Sequence, residues 1–139
     1  IFLFSLTVIS CAKKSSDDSK TTTTSSGLFV AVGDNGIILT SSDASTWTTG
    51  TSGTTDYLKG GVTYINSVFM TVGDNGTILS STDSTSWNQI NSGTTENLRE
   101  IKYLNGLYFI VGKNRIILSS PDGMITSWLA DISARMNLM

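Results

Sequence analysis

The sequence predicts an all-β chain assembled from a repeated four-stranded antiparallel unit. Three observations predict it. First, the stretch "FVAVGDNGIILTSSDASTW" at residues 29–47 returns as "FMTVGDNGTILSSTDSTSW" at residues 69–87, and a third, frayed copy begins "YFIVGKNRIILSSPDG" at Tyr108. Second, Gly33, Gly73 and Gly112 correspond, as do Leu39, Leu79 and Leu118, and Asp43, Asp83 and Asp122. The spacing is roughly 40 residues, the range of radial and stacked repeat architectures. Third, each copy alternates apolar and polar residues between turn signals, and no segment sustains a helical period.

Taken in order, residues 1–10, "IFLFSLTVIS", are an apolar run that stops before Cys11. In a helix it would reach about 15 Å, half of a bilayer core, so it is too short to span and fits the h-region of a signal peptide. Neither an initiator Met nor a basic stretch precedes it, so the chain reads as truncated at its start. Residues 11–26, "CAKKSSDDSKTTTTSS", are small, polar and low in complexity, which predicts a flexible tether. The repeats occupy residues 27–128. In the second copy, "LKGGVTYIN" alternates as a strand, "VFMTV" follows a turn at Asn66-Ser67, and "DNG" predicts a type I′ hairpin because Asn-Gly accepts positive φ. "TILS" then returns antiparallel, and "WNQI" opens a fourth strand closed by "NSGTT".

Four short antiparallel strands per repeat is the grammar of a propeller blade, so the fold expected is a partial β-propeller of about three repeats. The first copy, from Gly27, offers three strands and lacks a counterpart of "LKGGVTYIN"; the third has one in "LREIKYLN". About two and three-quarter blades result, whereas closed propellers need at least about four. The expectations, in order, are a piece of a longer propeller, self-association that completes a ring, and a β-trefoil-like closure of three four-stranded units. The third copy departs from the pattern. Trp128 stands six residues after Asp122 instead of four, Lys113 and Arg115 replace Asp and Gly in the turn, and residues 129–139 predict an irregular tail.

Composition narrows the chemistry. The 139 residues are 39% hydrophobic and 14% charged, with a net charge of −2 and no histidine. One small domain fits that size. Arg99, Arg115 and Arg135 are scattered, which leaves no electrostatic footprint for nucleic acid. Without histidine, and with Cys11 as the sole cysteine, a Cys/His zinc site and a histidine-based nucleophile are both excluded. Asp34, Asn35, Asp74 and Asn75 are too few for a calcium site and read as hairpin turns. Tyr57, Tyr64, Tyr103 and Tyr108 offer stacking surfaces, but alternation sends at least half of them to the core. No catalytic, metal or cofactor residue is expected.

Two resemblances add to this reading. "VISC" (Val8 to Cys11), after an apolar run and before a Ser/Thr-rich segment, resembles a bacterial lipobox, with Val8 where Leu is commoner. It implies lipidation of Cys11 and a membrane anchor in the cell envelope. Ala12 in the next position implies sorting to the outer membrane, facing the periplasm or the surface. "SSDASTW" and "STDSTSW" resemble the Asp-box of the BNR repeat family, together with the "VGDNGTIL" hairpin and the "SGTT" segment. That resemblance implies a β-propeller in which Ser41, Asp43, Trp47, Ser81, Asp83, Trp87, Ser120, Asp122 and Trp128 are structural, and burial of large rings favours Trp47 and Trp87 packing inward. Related repeats occur in sialidases and in photosystem assembly factors. Sialidases need an arginine cluster with a tyrosine–carboxylate pair, and the assembly factors an arginine-rich face; neither pattern stands in this sequence. The function expected is therefore a non-catalytic scaffold that binds a protein or a glycan. An assembly factor for a membrane complex and a sialidase-like glycan-binding module are the alternatives.

Overall fold

The structure, a computed structural model, describes residues 10–14, 28–121 and 129–130. Over these residues the chain is all-β, in three four-stranded antiparallel sheets, with no α-helix among the described residues. The first sheet holds β1 (Ser10–Lys14), β2 (Leu28–Val32), β3 (Ile38–Ser41) and β4 (Thr48–Thr49). The second holds β5 (Val62–Ile65), β6 (Val68–Val72), β7 (Ile78–Ser81) and β8 (Asn88–Ile90). The third holds β9 (Leu98–Leu104), β10 (Leu107–Gly112), β11 (Ile117–Ser120) and β12 (Leu129–Ala130). In each sheet the strands lie side by side in chain order, each antiparallel to its neighbours.

Three expectations are corrected. The first sheet has four strands, not three: β1 pairs with β2, Cys11 opposite Ala31 and Lys13 opposite Phe29. Residues 11–14 of the expected tether, and Ser10 of the apolar run, are therefore strand. Ladder bonds use backbone groups, so a segment without apolar alternation can still cover the open edge of β2. The tail is not irregular throughout, because Leu129 and Ala130 pair with Ser119 and Leu118 at the edge of β11. Among the described residues no sheet closes into a barrel, which a trefoil-like closure would need. The remaining signal-peptide and tether residues, and Asp122 and Trp128, lie outside the described residues.

The turn chemistry is as the sequence predicts. Asn35 (φ 52°, ψ 34°) and Gly36 (φ 64°) form the two central residues of a type I′ turn, closed by the Ile37 amide donating to the Asp34 carbonyl at 3.0 Å. Asn75 and Gly76 repeat it.

Two apolar clusters hold the sheets face to face. Val30, Val32 and Ile38 of the first sheet pack with Phe69, Leu79 and Trp87 of the second, and Leu58 joins them. Met70, Val72, Ile78 and Ile90 from the opposite side of the second sheet pack with Ile101, Tyr108, Ile110 and Leu118 of the third. The second sheet is thus covered on both faces. Its strands alternate between two apolar environments, which is why β6 is buried almost throughout.

Candidate functional site

The aspartate turns were the strongest sequence signal, and their geometry is local. Asp43 Oδ1 accepts from the Ser41 hydroxyl at 2.9 Å and from the Ser45 and Thr46 amides at 2.8 and 2.7 Å. Asp83 Oδ1 repeats this with Ser81, Thr85 and Ser86 at 3.0, 2.8 and 2.8 Å. Ser41 and Ser81 are buried strand ends whose hydroxyls also accept from the turn backbone. Donation from the backbone amides, above all that of Thr46, holds the Asp43 carboxyl down at about 2, and amide donation led by Ser86 likewise depresses Asp83. Such a carboxylate stays ionised and committed to its own turn, which suits it poorly to general acid or base work. Ser120 is buried at the corresponding strand end of the third sheet.

The two described tryptophans differ. Trp87 is 8% exposed, donates its indole N–H to the Ser84 carbonyl at 3.0 Å, and packs against the first sheet. Trp47 is 38% exposed, which corrects the expectation that both pack inward. The cause is positional: Trp87 is covered by the sheet before it, and among the described residues no sheet precedes the first.

Residues that the sequence reading passed over join the repeats. Asp56, which follows the first "SGTT", accepts from Asn75 Nδ2 at 2.7 Å and from the Thr77 hydroxyl, both in the next repeat. The Thr77 bond is the main reason that the Asp56 carboxyl lies below its ordinary value. Glu96, one repeat on, accepts from Asn114 Nδ2 at 2.8 Å. Thr51 donates to the Thr85 carbonyl at 3.0 Å, tying the end of one repeat to the aspartate turn of the next. The acid after each "SGTT" was the available signal.

A polar row runs beside these latches. Lys59 pairs with Asp74 at 2.5 Å and lies over the Tyr57 ring at 4.8 Å. Burial, and then the Asp34 charge, push the Tyr57 phenol up. Among the described residues no group of three or more metal-ligand side chains exists, and Asp74 is held by its lysine, so the row is an electrostatic tie between turns. Of the other tyrosines, Tyr108 is core, and Tyr64 and Tyr103 lie tilted against Phe69 and Tyr108 with ring centroids 4.4 and 4.8 Å apart. An open groove follows the first sheet, lined by Ile37, Leu39, Thr49 and Thr51.

Compared with protein-family models, with curated proteins and with solved structures, the chain matches none. The likeness to Asp-box repeats accordingly rests on the residues themselves.

Proposed function

We propose that the chain is a non-catalytic repeat scaffold of the bacterial cell envelope, a partial β-propeller of Asp-box units anchored through lipid on Cys11. The observation that carries this reading is the commitment of Asp43 and Asp83 to their own turns. In-order strands within each sheet and face-to-face packing of successive sheets favour the propeller form. Sequence supports the anchor: an apolar run, "VISC" and a polar segment. Cleavage before Cys11 would leave Cys11 to Lys14 to pair with β2, so the anchor and the first strand share residues.

The scaffold binds its protein or glycan partner through surface loops, and the aspartates act only by holding those loops in shape. Asp43→Asn and Asp83→Asn variants should then lose partner binding, scored on a glycan array and by pull-down, only to the extent that they lose thermal stability. A variant with unchanged Tm and abolished binding would place the aspartates in the binding site instead. Cys11→Ser should move the protein from the membrane to the soluble fraction of the producing cell. Retention in the membrane rules out the lipid anchor.

A further inference from the structure

All four large hydrophobic side chains exposed among the described residues lie at the two ends of the stack of sheets. Trp47 (38%) belongs to the first sheet; Leu104 (59%), Leu107 (36%) and Val111 (40%) belong to the third. Repeat equivalence explains their chemistry. The second sheet docks on the third through Ile65, Val68, Met70, Val72 and Ile78. One repeat later those positions are Leu104, Leu107, Phe109, Val111 and Ile117, so the third sheet carries the same apolar face, and among the described residues it is exposed or only partly covered. At the other end, the second sheet meets the first through Phe69, Leu79 and Trp87, which are buried. The corresponding positions in the first sheet include Leu39 and Trp47, and there Leu39 is partly exposed and lines the open groove.

We infer that these two faces bind each other between copies, so that the third sheet of one chain docks head to tail on the first sheet of a second copy. The contact would continue a packing that the chain already makes twice, trailing face of one sheet on leading face of the next. This is a heterologous contact, closing as a ring or growing as a row of copies. Two copies bring together twice three sheets, within the roughly four to eight that radial β-sheet rings contain. Fractional exposure of the end residues matches a surface covered on association rather than one built for water. The inference does not depend on the lipid anchor or on the absence of catalysis.

The test is the mass of the 139-residue chain by light scattering and sedimentation across a concentration series. Association is expected, and Val111→Lys and Leu39→Lys should each abolish it. Each variant keeps one intact face, so an equimolar mixture should recover a species of twice the single-chain mass. A misfolded variant cannot complement its partner, so this recovery separates a lost face from a lost fold. A wild-type chain that stays monomeric throughout overturns the inference, meaning that a different segment or partner covers these faces. Association that survives both substitutions overturns it equally.

Discussion

The Oδ1 atom of Asp83 receives the Ser81 hydroxyl and the Thr85 and Ser86 amides, and Asp43 has the same three kinds of donor. Each bond favours the ionised carboxylate, so the folded pKa lies below the unfolded value. The resulting stability is present above the unfolded pKa and is lost as pH falls through the folded one. For Asp43 that window runs from 3.8 down to about 2. The Tm gap between wild type and an Asp43→Asn, Asp83→Asn double variant should therefore shrink as pH is lowered from about 5 to about 2. A gap that stays constant would mean that shape, not charge, holds the turns. The tryptophans give a second contrast from near-identical cassettes. Trp87→Ala should cost about 3–5 kcal/mol and Trp47→Ala about 1 kcal/mol, measured by denaturant unfolding, because only Trp87 is packed between two sheets.

At the scale of the element, the hairpin turn and the "SGTT" segment form one unit. A Cβ at Gly36 would stand 2.0 Å from the Thr54 carbonyl oxygen, and at Gly76 1.9 Å from that of Thr94. Glycine is needed there for space as well as for positive φ. In the third repeat Arg115 occupies the corresponding position at φ 64°, in a copy whose sequence has no "SGTT". At Arg115 the positive φ strains a backbone that glycine would adopt freely. Gly76→Ala should accordingly destabilise by about 3 kcal/mol or more, while Arg115→Gly should stabilise by about 1 kcal/mol, both read from unfolding midpoints. The hairpins were legible in the sequence because Asn-Gly carries its conformation locally. The strand β1 was not, since "SCAKK" pairs through its backbone and shows no alternation. Nor was the difference between Trp47 and Trp87, because their burial is decided by the neighbouring sheet. Likewise, the sequence marks Asp56 as an acid after a loop, but only the packing of successive repeats gives it Asn75 and Thr77 as partners.

Across the whole molecule the three sheets are unequal in cover. The second is packed on both faces, whereas the first and third each have one face in an apolar cluster. Local opening is cheapest where few apolar contacts must be broken, so protection against amide hydrogen exchange should be graded. The slowest amides are expected in β6 and β7, which contribute Phe69, Met70, Val72, Ile78 and Leu79 to the two clusters. Strands β10 and β11, with Val111 open to solvent, should exchange faster, as should β3, where Leu39 is only partly covered. Head-to-tail docking adds cover to these outer sheets and none to the middle one. Raising protein concentration should therefore slow exchange in β3, β10 and β11 and leave β6 and β7 unchanged. Uniform slowing across all three sheets would instead point to a general stabilisation, and no slowing at all to end faces that stay wet. The gradient itself requires only that stability follow two-sided burial. Equal rates in all three sheets at low concentration would mean that the repeats open as one cooperative body.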